Sequence, residues 1–460
     1  MRRAVLAVVI LALSVPAAAR ADVLTIRGYR APGTPKRYDR VQVRRFGSAH
    51  ARKVLVLVPG TLAGAGDFTI VGRYLARHVR GLQVWAQMRR EGPLEDNSRL
   101  LAGLRGRATI QQVFDYYLGW LADSSISPHY QPLDPTHFAF AKRWGLTVAM
   151  EDLRRVIRRA RDHGRRTVLL GGHSLGGAET AVYAAWDFHG HAGYQDIAGM
   201  IGIDGGPFLR LGSSADTVAQ VRAQLAQMDA KGPWLDLLGV GLPWVSGAFS
   251  EVGALAALKQ PHAASTQQQF PLLPPALRPS VAVTNQAQLG YAFDAATSPA
   301  SLALIHVHSG HLGAGDPADW VDDGPTPIQN VARTFVQEPL GGVDWYYPLR
   351  LTIDVGAAAS LRRTPAARFL GLRLRHLRQV NLPYYVIATS LGGRRLIAGA
   401  RRFKRESRIP RLAVVDRSAS YGHLDPLLAA PARNAFLKTV VPWLRRIGSG
   451  QRGSTGAGAP

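Results

Sequence analysis

Thr167-Val-Leu-Leu-Gly-Gly-His-Ser-Leu-Gly-Gly177 is an apolar run that drives straight into a serine packed among glycines. Val168, Leu169 and Leu170 read as the end of a buried parallel strand, and Leu175 onward reads as a helix. A residue between the two sits on a very tight turn. Gly172 and Gly176 supply the space, because a side chain at either position would collide with the neighbouring strand or helix. The consequence is chemical: the Ser174 hydroxyl is lifted clear of the sheet and faces the positive end of the following helix. The competing reading is a chance match, since the pattern is short and the chain has 48 glycines.

Working outward, the flanking segments alternate. Val23 to Tyr29 and Asp39 to Phe46 read as two antiparallel edge strands, and Val54 to Val58 as a strand buried on both faces. Helix is expected at Asp67 to His78, near Ser98 to Leu121, and at Leu146 to His163, with strands at Leu82 to Ala86 and Ala198 to Ile203. This order predicts an α/β fold, a mostly parallel sheet with helices on both faces. From about Gly205 to Val380 the alternation stops in a stretch rich in Gly, Pro, Ala and Leu. It resumes with strands Tyr384 to Ala388 and Leu412 to Val415 and a helix from about Pro431 to Ile447. The predicted organisation is a leader over 1–21, a core over 22–204 and 381–447, and an inserted cap over 205–380. The Gly/Ser/Ala-rich tail, 448–460, is expected to be disordered.

Composition narrows the classes. Arg2 and Arg3, the apolar stretch Ala4 to Val15, and Ala19-Arg20-Ala21 before Asp22 have the order of a secretory signal peptide cut after Ala21. A buried helix or N-terminal anchor is the alternative. The expected location is therefore secreted or periplasmic. With no cysteine, disulfides, a thiol nucleophile and Cys-ligated zinc are excluded. The net charge is +25, most of it arginine. From Glu151 to Arg161 the arginines alternate with Leu153, Val156, Ile157 and Ala160 at helical spacing, which predicts a solvated outer face. Base-reading side chains are not interleaved among the charges, so nucleic acid is not the expected partner. Weak attraction to anionic surfaces stays open.

A serine hydroxyl needs a base, a group that holds the base, and donors for the oxyanion. Donors are expected from the turn Val58-Pro59-Gly60-Thr61-Leu62, with Thr61 first and Leu62 second, and from the Leu175 N–H. The base is expected at His423, in a small polar loop between the last strand and the last helix. His173 should point away from the pocket. The acid is expected at Asp204, at a strand's C-terminal edge, where ligands collect in open α/β sheets. Asp416, Asp344 and Asp354 are the alternatives, because Tyr384 to Ala388 runs into Thr389-Ser-Leu-Gly-Gly with no nearby carboxylate.

With the elbow Gly172-His-Ser-Leu-Gly-Gly177, the turn Pro59-Gly60-Thr61 and His423 in Tyr-Gly-His-Leu-Asp, the chain resembles the α/β-hydrolase superfamily. The likeness is greatest to its secreted lipase and esterase branches, and it covers 22–204 and 381–447. The pieces occur in the family's order: oxyanion turn, serine, acid, histidine. Two departures stand out: Pro59 replaces the family's frequent histidine, and the commoner acid position after the next-to-last strand is empty. The resemblance implies a serine hydrolase that cleaves small-molecule or lipid esters through an acyl-enzyme and needs no cofactor. Amide cleavage, peptide cleavage or acyl transfer by the same residues stays open, as does a non-catalytic binding protein. The apolar segment Gly232 to Leu258 is either a cover for the site or the cap's own core. His306, His308 and His311 are either loop or pocket-mouth groups or a metal set. Oligomeric state is not legible.

Overall fold

The computed structural model describes residues 22–209 and 215–447. The expected leader and tail lie outside the described residues. Eight strands form one sheet: β1 (Asp22–Arg27), β2 (Arg40–Phe46), β3 (Lys53–Val58), β4 (Leu82–Met88), β5 (Thr167–His173), β6 (Met200–Ile203), β7 (Tyr384–Ala388) and β8 (Leu412–Asp416). Their spatial order is β1-β2-β4-β3-β5-β6-β7-β8. β2 runs antiparallel to both β1 and β4, so of the two strands expected at the edge only β1 is one; β8 forms the opposite edge. The pairs from β4 to β8 are parallel. This strand order, with a serine after β5, is the α/β-hydrolase arrangement.

The two faces of the sheet bury different helices because successive side chains on a strand point to opposite sides. Leu55 and Leu57 of β3 pack into one core with α1 (Thr69–His78) and α5 (Ala435–Arg446). Val54, Val56 and Val58 pack into the other with α2 (Leu146–Arg161), α3 (Leu175–Ala185) and α4 (Gly393–Glu406). α2 buries Leu153, Val156, Ile157 and Ala160 as its spacing predicts. α4 is not among the helices expected from the sequence. It buries Leu396, Ile397, Gly399, Ala400 and Phe403 and turns its charges outward.

Between β6 and β7 no described residue joins the main sheet. That span holds helices Val218–Lys231, Val245–Lys259, Asn285–Phe293, Ile328–Phe335 and Leu349–Ala358, and a small antiparallel hairpin of Gly310–Gly315 with Ala318–Asp322. The cover is not built from the insertion alone. Residues Ser98–Leu104 and Ile110–Tyr117 also pack on helix Val245–Lys259. Trp120 stacks with Trp244 at 6.3 Å, and Tyr117 meets Trp345 edge-on at 5.4 Å. No helix among the described residues is long and apolar enough to cross a membrane.

Candidate active site

Every parallel strand near the sheet's middle delivers something at its C-terminal edge. β5 ends in Ser174, which has φ 55° and ψ −122°. Left-handed backbone at a non-glycine residue costs about 1–3 kcal/mol and persists only where the surroundings enforce it. Here they do. A Cβ on Gly172 would lie 2.2 Å from the backbone of Gly176, and one on Gly176 would lie 2.1 Å from the Val58 carbonyl oxygen. The helix therefore enters the turn at a distance only glycines permit. The Ser174 N–H is held by the Ile203 carbonyl at 2.9 Å, which registers the elbow against β6.

β6 ends in Asp204, and the loop after β8 brings His423 to it. His423 Nδ1 lies 2.6 Å from Asp204 Oδ2, with both side chains buried. The Thr389 N–H donates to Asp204 at 2.8 Å, the Thr389 hydroxyl donates to its other oxygen, and the Gly392 N–H donates at 3.2 Å. Burial alone would raise the Asp204 pKa. The His423 hydrogen bond and charge and the bonds from Thr389 outweigh it and hold the carboxyl below its ordinary range. A carboxylate only accepts, so Nδ1 carries a proton, and in the neutral ring the lone pair is then on Nε2. Nε2 is buried with no partner among the described residues, and His423 and Ser174 line the same cavity.

The His423 loop is itself tied down by Asp425, a fully buried carboxylate. It accepts from the Gly422 N–H at 2.6 Å, the Thr326 hydroxyl at 2.6 Å and His308 Nδ1 at 3.0 Å. The Leu424 N–H donates to the His306 carbonyl at 3.0 Å. Of the three cap histidines, His308 is thus paired with a carboxylate, and so is His311, with Asp323 at 3.0 Å. His306 Nε2 donates to the Pro299 carbonyl. His306 and His308 lie outside any strand.

His173 corrects an expectation. It lines the cavity, and its Nε2 donates to the His423 carbonyl at 3.0 Å, the rings 4.3 Å apart. Burial, and then the neighbouring His423, push its pKa down to about 3. It is a neutral prop beneath the His423 ring. The alternative acids lie elsewhere. Asp416 is exposed and takes the Ser418 N–H and hydroxyl. Asp354 is bound to Arg350 and to the Leu146 N–H. Asp344 lines the cavity from the cap side, where burial and then Glu95 push its pKa up to about 8.

Thr61 lines the cavity beside Ser174, and Leu175, the first residue of α3, belongs to the helix turn whose N–H groups lack intrahelical partners. Leu62 is left-handed at φ 57°. The segment from Leu62 to Gly66 is pinned by an irregular cap segment, residues 341–344, through the isolated bridge of Ala63 with Val343. The Asp344 N–H donates to the Leu62 carbonyl at 3.0 Å, the Gly64 N–H to Gly342 at 2.9 Å and the Gly66 N–H to Gly341 at 2.8 Å.

The cavity is about 230 Å³. Leu237, Leu242, Phe249, Phe270, Leu277 and Phe293 make most of its far wall. The segment Gly232 to Leu258 divides between the two alternatives: Leu237, Leu242 and Phe249 line the cavity, while Trp234, Trp244 and Leu255 are core. Besides Asp344, a second carboxyl interrupts the apolar lining, near the Thr61 turn. Asp67 is buried, has an unpartnered oxygen, and has a pKa raised well above its ordinary value by burial.

No family model matches the chain, and no curated protein matches it. Among solved structures it is similar to a thermophilic esterase from Thermogutta terrifontis, at 13% identity and a TM-score of 0.41, over 93% of this chain and 99% of that one. It is similar to an epoxide hydrolase from Vigna radiata, at 12% identity and a TM-score of 0.43, over 94% and 99%. A soluble variant of monoglyceride lipase from Saccharomyces cerevisiae, bound to a substrate analogue, matches at 10% identity and 0.39, over 89% and 91%. These are distant likenesses, and the fold assignment stands on the strand order above.

Proposed function

We propose that the chain is a serine hydrolase that cleaves carboxylic esters through an acyl-enzyme, with Ser174 as nucleophile, His423 as base and Asp204 as the acid that orients it. The observation that carries this is the state of His423. One ring nitrogen is held by an ionised carboxylate, and the other is bare, buried and on the same cavity as a strained serine. His423 Nε2 takes the Ser174 proton as Oγ bonds to the ester carbonyl carbon. The carbonyl oxygen becomes an oxyanion held by the Thr61 and Leu175 N–H groups. The intermediate collapses, the C–O bond to the alcohol breaks, and His423 returns the proton to the departing oxygen. Water then repeats the cycle on the acyl-enzyme and releases the acid.

The apolar far wall supports esters carrying an apolar group, the lipase-like end of the range. Export by cleavage after Ala21 is proposed from the leader alone, and a mature N-terminus other than Asp22 would refute it. For the chemistry, Ser174→Ala and His423→Ala should each lower turnover of a p-nitrophenyl ester by at least about 10⁴-fold in folded protein. A fluorophosphonate probe should label Ser174 in the wild type. Wild-type rates in Ser174→Ala would end the proposal.

A further inference from the structure

We infer that Arg89, just beyond the end of β4, is the positioning residue that aims the Thr61 N–H at the developing oxyanion; this rests on the ester-hydrolase reading and deepens it. Arg89 is buried beneath the turn that follows β3. Its Nη1 donates to the Gly60 carbonyl at 3.0 Å, and its Nη2 donates to the Pro59 carbonyl at 2.6 Å and to Glu179 at 2.7 Å. In a trans peptide the carbonyl and the next residue's N–H point to opposite sides of the chain. With the Gly60 carbonyl turned onto the guanidinium, the Thr61 N–H faces away from it. The Pro59 carbonyl fixes the Gly60 N–H in the same sense. Two successive N–H groups on one side form an anion-binding concavity.

That concavity opens beside the nucleophile, because a Cβ on Gly60 would lie 3.0 Å from Ser174 Cβ. The turn needs an outside hold, since Gly60 restrains its own backbone least of any residue. Arg89 supplies the hold and ties it to α3, where Glu179 sits on the helix that offers the Leu175 donor. One buried ion pair thus sets both donors in register. It also separates the two candidates in the turn: the Leu62 N–H belongs to the Thr61 peptide, whose carbonyl Arg89 does not touch. Burial works against the guanidinium's charge, but Glu179, then Tyr347 and Glu91, outweigh it and keep Arg89 protonated behind the oxyanion.

The test separates aiming from mere support. Arg89→Met strands Glu179 without its cation and is expected to lower stability. The double variant Arg89→Met/Glu179→Leu removes both charges, an exchange that is often neutral for stability. Thermal melting, steady-state kinetics on p-nitrophenyl butyrate, and inhibition by butylboronic acid, which mimics the tetrahedral intermediate, are measured on all forms. The expected result for the double variant is melting within a few degrees of wild type, KM within about threefold, and kcat lower by about 100-fold. Boronate affinity should fall in parallel. Arg89→Lys should lie between, because one ammonium cannot repeat the two-carbonyl fork. A double variant with wild-type kcat, or one that loses kcat while boronate affinity stays intact, overturns the role of Arg89 and leaves the ester-hydrolase reading standing. An inactive wild type that the fluorophosphonate fails to label overturns that reading and this inference with it.

Discussion

The two walls of the cavity handle buried acid groups in opposite ways. On the sheet-edge wall Asp204 is ionised, and its oxygens are met by His423, the Thr389 hydroxyl and the backbone N–H groups of Thr389 and Gly392. Where the cap packs on the Thr61 turn, Asp67 Oδ1 has no partner among the described residues, and burial raises the pKa values of Asp67 and of the cap's Asp344 and Glu251. The difference teaches where charge is wanted. The carboxylate that holds His423 is surrounded by donors fixed to strand ends. Carboxyls under the cap are left to keep their protons, so that side stays electrically quiet beside the apolar lining.

The largest effect should come from breaking the charged wall. Asp204→Asn keeps the shape but presents an amide that can hold the wrong imidazole tautomer, and kcat should fall by about 10⁴-fold. Asp416→Asn, on the exposed loop after β8, should stay within about twofold of wild type. The reverse outcome in the p-nitrophenyl assay would move the acid to Asp416 and undo the comparison. One step smaller is Thr389→Val, which removes the hydroxyl donor but leaves the backbone one. Hydrogen bonds to charged groups are worth about 1.5–3 kcal/mol, so kcat/KM should drop about 10- to 100-fold, with a raised pKa in its acid limb. An unchanged pH profile would show that Asp204 does not depend on Thr389.

These positions also show what the sequence could reveal. The elbow was legible because its glycines answer a contact only a few residues away, between Gly172 and Gly176. His423 and Asp204 were legible from strand ends and chain order. Asp204's support was not, because the empty acid position after β7 turned out to supply donors rather than a carboxylate. Arg89 and Glu179 lie ninety residues apart and carry no motif, so only the fold joins them. His173, the last residue of β5, was expected to point away from the pocket, but its ring lines the cavity and reaches the His423 carbonyl. The cap stayed opaque for a physical reason: helix Val245–Lys259 is buried on nearly all sides and shows no amphipathic period to read.

The cap wall is sharpened by filling it. Leu242→Trp should lower kcat/KM for a p-nitrophenyl octanoate by about tenfold and leave the acetate nearly unchanged, as lost room for apolar groups is worth about 1–3 kcal/mol. Equal losses on both esters would mean that Leu242 does not line the part of the cavity the acyl chain uses.

The smallest effect concerns stability, and Glu251 carries it. Burial raises its pKa from the ordinary 4.5 to about 8, and Asp344 adds to the rise, against the Trp345 Nε1–H bond of 2.8 Å that lowers it. The folded chain therefore keeps this proton up to about pH 8, while the unfolded chain gives it up near 4.5. Between those values the native state binds more protons, so the Glu251 contribution is whole below 4.5 and is lost as pH rises toward 8. Glu251→Gln keeps an acceptor for Trp345 and cannot titrate. The gap between variant and wild-type melting temperatures should thus shift in the variant's favour by at least about 2 °C from pH 5 to pH 9. Taking the difference cancels the pH dependence both forms share, including repulsion among the chain's excess arginines. Parallel melting curves would mean that Glu251 is ionised in the folded protein and that the cap wall is charged after all.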